Sequence, residues 1–143
     1  MFDLVVKSEV TFKTYELLKS MVRVSEEQKN RRNVGETWAV GFNLGRQAGH
    51  TTSIFEYANI HKDESILVVF RNYRAMLNAL ETYNKHPNVI YKTYDDILQN
   101  IDSHRGLKFE RVFCDDISGD LAVKLLGVIL NYSFNPKSFV YLG

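Results

Sequence analysis

Thr37-Trp38-Ala39-Val40-Gly41-Phe42-Asn43-Leu44-Gly45-Arg46-Gln47-Ala48-Gly49-His50-Thr51-Thr52-Ser53-Ile54-Phe55-Glu56-Tyr57-Ala58 is the stretch on which the fold turns. Residues 37–42 are largely apolar and suit a strand. Residues 45–52 carry two glycines, Gly45 and Gly49, that permit a tight bend. Residues 53–58 suit a helix. A strand, a glycine-bearing turn and a helix start, in that order, bring backbone N–H groups and a positive helix end to one place. An anion is held readily there.

The rest of the chain repeats the alternation. Strand-like runs occupy 66–70, 89–91, 111–114 and 138–142. Helical spacing joins Met76, Leu77, Leu80 and Tyr83, then Ile97, Leu98 and Ile101, then Leu121, Leu125, Val128 and Tyr132. Alternating strands and helices imply right-handed crossovers and a parallel sheet covered on both faces. The unbroken apolar run Ile66-Leu67-Val68-Val69-Phe70 suits a strand buried on both sides. The expected fold is therefore α/β: a three-layer sandwich around a mostly parallel five-stranded sheet, spanning 35–143. A helical segment, 1–34, precedes it and is expected to join it in one compact unit. Within 11–24, Phe12, Tyr15, Leu18 and Val22 form a stripe that can pack on the domain or dock a partner helix. Ser25 and Gln28 have capping-box spacing for a short turn that follows. Pro87 and Pro136 read as loop punctuation.

Composition narrows the classes of function. A length of 143 residues fits one domain with a real core. A formal charge of +1 excludes a global nucleic-acid footprint and leaves only local patches. One cysteine, Cys114, excludes an internal disulfide and a multi-cysteine metal site; in its apolar run it reads as a buried, inert thiol. No apolar run reaches membrane-spanning length and no signal-peptide pattern opens the chain, so no membrane partner and a cytoplasmic setting are expected. His61, His86 and His104 lie far apart beside Lys62, Pro87 and Arg105, and read as solvated loop histidines. Lys29, Arg31 and Arg32 read as a solvated basic end.

A second element complements the turn at 45–52. Arg111-Val112-Phe113-Cys114-Asp115-Asp116 is an apolar strand ending in paired acids. In a parallel sheet, both elements finish at the carboxyl edge, where ligands bind. As a helix N-terminus alone, the acids would be explained by the macrodipole. That reading leaves open why they end a buried strand.

Together these residues resemble the P-loop NTPases of the RecA-like side, most closely phage terminase large-subunit ATPases and the first domain of helicases. Arg46-Gln47-Ala48-Gly49-His50-Thr51-Thr52 follows their Arg-Gln-x-Gly-Lys-Thr-Thr loop, a Walker A type. Ile66 through Arg74, the run from Gly106 into Asp115-Asp116, and the closing Phe139-Val140-Tyr141-Leu142-Gly143 are similar to their later strands. The resemblance implies a nucleotide such as ATP on Gly45, Arg46, Gln47, Ala48, Gly49, His50, Thr51 and Thr52. It implies Mg²⁺ on Thr51 and Asp115, and Asp116 orienting or activating the attacking water. It implies that the 138–142 strand lies between the strand before Gly45 and the strand ending at Asp115. It also implies nucleic-acid contact by Arg71, Tyr73 and Arg74, which otherwise read as a solvated helix start.

The departures are specific. His50 stands where lysine is expected, Leu44 takes the first-glycine position, and Asp116 stands where glutamate is usual. Imidazole is shorter than lysine and largely neutral at pH 7 unless an anion raises its pKa. Loss of the lysine charge should cut phosphoryl transfer by roughly 10² or more, while loop amides, Thr51 and Mg²⁺ remain for binding. The leading expectation is a degenerate, phage-type protein that binds nucleotide or phosphate weakly, hydrolyses it little or not at all, and acts on nucleic acid or a motor or processing protein. In a phage setting it would work in the host cytoplasm. One rival is an active Mg²⁺-dependent ATPase, its missing charge supplied by a partner's arginine or by Arg46. The other is a pure interaction module that kept the fold and lost the ligand.

Overall fold

A computed structural model of the chain describes residues 2–31, 38–44, 49–100, 108–131 and 136–143, with backbone alone for 2–12 and 131. In chain order the elements are α1 (Phe2–Arg31), β1 (Ala39–Phe42), α2 (His50–Ile60), β2 (Ile66–Phe70), α3 (Tyr73–Thr82), β3 (Val89–Thr93), α4 (Tyr94–Gln99), β4 (Arg111–Asp115), α5 (Gly119–Asn131) and β5 (Ser138–Leu142). The five strands form one sheet in the order β1-β5-β4-β2-β3, and every pair is parallel. The fold is thus an α/β three-layer sandwich, as expected, and β5 lies between β1 and β4.

Period-two alternation divides the sheet between two cores. Leu67 and Val69 of β2, Val112 and Cys114 of β4, and Phe139 of β5 face Ile97 of α4 and Leu125 and Ile129 of α5. Ile66, Val68, Phe70, Phe113, Val140 and Leu142 face the opposite way, against Tyr15, Leu18 and Val22 of α1 and Ile54, Phe55 and Ala58 of α2. Burial on both faces explains why β2 reads as a continuous apolar run. Cys114 is fully buried, and burial pushes its thiol pKa up, which keeps it protonated and inert.

The N-terminal segment is helical, as expected, but Ser25 does not serve as a cap. Helix α1 runs for 30 residues straight through Ser25, so no capping box forms there. Ser25 is instead completely buried. Its hydroxyl donates to the Trp38 carbonyl at 2.7 Å and accepts from the Phe139 amide at 2.8 Å, pinning α1 to the start of the β1–β5 pair. Those partners lie 13 and 114 residues away, so tertiary bonding overrides the local capping signal. Of the expected stripe, Tyr15, Leu18 and Val22 pack on this chain's own α2 and sheet, and the Phe12 side chain lies outside the described ones.

Two glycines carry opposite expectations for stability. Opposite Gly41 in the β1–β5 ladder stands Tyr141, and a Cβ added at Gly41 would sit 2.3 Å from the tyrosine ring and 2.5 Å from its backbone oxygen. A ring can turn, whereas a paired strand's backbone oxygen cannot. Gly41→Ala is therefore expected to cost about 2 kcal/mol or more. Gly127, an exposed interior position of α5, has nothing within 4 Å of an added Cβ. Gly127→Ala should stabilise by about 0.5–1 kcal/mol. Thermal unfolding of the two variants checks both signs.

Candidate functional site at the carboxyl edge of the sheet

Strand register places the site. Phe42, Leu142, Asp115, Phe70 and Thr93 lie in one row across the carboxyl edge. The residues that follow them therefore emerge side by side: Asn43, Gly143, Asp116 and Arg71. The Gly143 amide bonds the Phe42 carbonyl at 3.0 Å, and the Ile117 amide bonds the Leu142 carbonyl at 3.2 Å, so these exits are fixed to the neighbouring strands.

Helix α2 starts over this edge. Its N-cap, Gly49, has φ 80° and ψ 28°, a left-handed conformation that glycine adopts at little cost. Both the amide and the hydroxyl of Ser53 return to the Gly49 carbonyl, at 2.9 and 2.7 Å. The first turn of α2 thus presents His50, Thr51 and Thr52 above the strand ends. Thr51 reaches down and donates its hydroxyl to Asp115 Oδ2 at 2.6 Å. That bond joins the two elements the sequence had singled out 64 residues apart. Asp115 is 8% exposed, and burial raises its carboxyl pKa, opposed by the Thr51 hydrogen bond and reinforced by the charge of Asp116.

Asp116 behaves differently. It has φ 57°, the one positive value for a non-glycine residue among the described residues, and its side chain points to solvent. Aspartate tolerates that conformation better than most residues. The turn aims Asp115 and Asp116 in different directions, one at Thr51 and the other at Arg71. Arg71 Nη1 lies 3.5 Å from Asp116 Oδ2. Asn72 then caps α3, its Oδ1 accepting from the Ala75 amide at 2.8 Å, and fixes where Arg71 leaves β2.

His50 is turned toward its own loop. Its Nε2 accepts the Leu44 amide at 3.3 Å, and its ring meets Phe42 edge-on at 5.6 Å. Burial lowers the imidazole pKa, with Asp116 opposing more weakly. Accepting through Nε2 requires that nitrogen to be unprotonated, which agrees with the lowered pKa. His50 therefore bridges both sides of the turn as a neutral ring, where lysine would bring a charge.

These groups line a cleft of about 770 Å³ between the α2 start and α3. Tyr83, at the end of α3, closes its far wall: the ring stacks on Phe55 at 4.7 Å and its hydroxyl is hydrogen-bonded to Thr52. A second cleft of about 640 Å³ opens on the α5 side, beside Phe42, Gly119, Leu121 and Tyr141. The two clefts share Asn43, Arg71, Asp116 and Gly143. Among the described residues lining the larger cleft, two acids, Asp115 and Asp116, stand against one arginine, Arg71.

Comparison with protein-family models, with curated proteins and with solved structures finds no match. The site therefore stands on its own geometry.

Of the residues expected there, Gly49, His50, Thr51, Thr52, Asp115 and Asp116 converge on the larger cleft. Gly45, Arg46, Gln47 and Ala48 lie outside the described residues. Arg71 joins the site, while Tyr73 and Arg74 stand exposed on the first turn of α3, apart from both clefts. Asn43 and Tyr83 were missed. Tyr83 reads in sequence only as one apolar position of a helix, and nothing local marks its hydroxyl for the cleft. His61 follows α2 and is half-buried, its ring stacked on Tyr57 at 3.9 Å. His86 is half-buried near Phe55; His104, Ile101, Tyr132 and Arg32 lie outside the described residues. Among the described residues no group of three or more His, Cys, Asp or Glu is arranged to hold a metal. No described helix is long and apolar enough to cross a membrane.

Proposed function

We propose that this chain binds a Mg²⁺–nucleotide complex, ATP foremost, at the carboxyl edge of its sheet, and hydrolyses it little or not at all. In this reading it is a degenerate relative of the P-loop NTPases, of the phage terminase and helicase type. It acts by contacting nucleic acid or a motor or processing protein. The observation that carries the reading is the 2.6 Å bond between Thr51 and Asp115. A hydroxyl at a helix start and a strand-end carboxylate are the pair that would hold Mg²⁺, the ion's other positions going to phosphate and water. A site of that kind needs no three-residue protein cluster. The bound ion would neutralise phosphate charge, which Asp115 and Asp116 otherwise repel. The placement of β5 between β1 and β4 also supports the reading, as does the left-handed Gly49 that starts α2.

Weak turnover follows from His50. A neutral ring engaged with the Leu44 amide does not supply lysine's charge to a transferring phosphoryl group. The test is calorimetric titration with ATP, with and without Mg²⁺, beside a phosphate-release assay. Mg²⁺-dependent binding with negligible release is expected, and His50→Lys should tighten binding roughly tenfold. Robust release that Asp116→Ala abolishes would establish the active ATPase instead. No binding under either condition would leave the interaction module.

A further inference from the structure

Arg71 is the cation that this site keeps. Among the described residues lining the two clefts, it is the one permanently charged cation, and it lines both. Its position is set by the backbone. Phe70 pairs with Asp115 across β2 and β4, so the next residues, Arg71 and Asp116, emerge side by side. The Asn72 cap then turns the chain into α3 and holds Arg71 at the rim. The partnership with Asp116 is a weak one. At 3.5 Å, with side chains 66% and 63% exposed, it is held cheaply and exchanged cheaply. A guanidinium has five N–H donors, and a phosphate takes two of them in a fork.

We propose that Arg71 supplies, from within the chain, the positive charge that His50 lacks, by binding the terminal phosphate of a nucleoside triphosphate. This rests on the proposed Mg²⁺–nucleotide site. Were Mg²⁺ held by Thr51 and Asp115, it would supply charge for the outer phosphates, and Arg71 would face them from the side of Asp116. The terminal phosphate then replaces Asp116 as its partner. Without a phosphate to bind, Arg71 pairs with the Asp116 carboxylate at the rim. The site accordingly discriminates triphosphate from diphosphate, and its loaded state differs from its empty state by the release of Asp116.

The test is the affinity of the full chain for Mg²⁺–ATP and Mg²⁺–ADP, by calorimetry, in the parent, Arg71→Ala and Arg71→Lys. Lys62→Ala, a charge removed from the far end of α2, is the control. Arg71→Ala should weaken ATP roughly tenfold or more and ADP by much less, with Arg71→Lys between, and the control within about twofold of the parent. If the parent binds and Arg71→Ala binds as tightly, the Arg71 assignment falls and the nucleotide site stands. Equal losses for ATP and ADP overturn the terminal-phosphate assignment. If the parent binds neither nucleotide, both readings fall together.

Discussion

Arg111→Ala is expected to lower stability by about 3–5 kcal/mol, seen as a drop in melting temperature on the order of 10 °C. Arg111 begins β4, at the opposite edge of the sheet from Asp115. Its side chain is 11% exposed, and its guanidinium bonds Glu26 of α1, Glu64 before β2 at 3.3 and 3.4 Å, and Ser138 of β5 at 3.4 Å. Tyr57 of α2 donates its hydroxyl to the same Glu64 at 2.7 Å. Burial works against the arginine's charge, but the bonds to Glu26 and Glu64 outweigh it and hold the pKa above its ordinary value. One guanidinium thus ties α1 and the segment before β2 to β4 and β5, and reaches α2 through Glu64 and Tyr57. Alanine leaves Glu64, 16% exposed, with a carboxylate and no cation. Replacing all three charged residues together by apolar ones of similar volume should recover much of the loss, since the desolvation cost goes with the charges. A loss under 1 kcal/mol for Arg111→Ala would mean that the pair behaves as a solvated surface pair.

Arg111 also marks what the sequence could not disclose. The strand that it opens was legible, because Val112, Phe113 and Cys114 are continuously apolar and the helices on either side have helical spacing. So were the parallel sheet and the two faces, since hydrophobic periodicity is a local property. The role of Arg111 depends on Glu26 and Glu64, which are 85 and 47 residues away, and no local pattern couples them. Ser25 failed for the same reason: its capping spacing was real, but better partners came from the sheet. At the site, residue types and order led to Gly49, Thr51, Asp115 and Asp116. The contact between Arg71 and Asp116 follows only once β2 is known to lie beside β4. His50 read as a lost charge. Its bond to Leu44 depends on the exit of β1 lying beside the start of α2, which no local pattern states.

The second large effect concerns Asp115, and two measurements should move in opposite directions. Asp115→Asn should weaken Mg²⁺–ATP binding roughly a hundredfold, because the charged group that would hold the ion is gone. The same substitution should stabilise the free chain at neutral pH. Burial raises the folded pKa of Asp115; the Thr51 bond opposes the rise and the Asp116 charge adds to it. A carboxyl with a raised folded pKa holds its proton more tightly folded than unfolded. Its contribution to stability is complete below the unfolded value of ~3.9 and is lost as pH rises through the folded value. At pH 7 the ionised group therefore opposes folding, and asparagine removes that opposition while keeping an oxygen that the Thr51 hydroxyl can donate to. The melting temperature of Asp115→Asn should exceed that of the parent at pH 7, and the margin should close as pH falls below about 4. Should the margin stay constant from pH 7 to pH 3, the raised pKa is not its source. Should stability rise while Mg²⁺–ATP binds as before, Asp115 is a structural acid and the metal assignment fails.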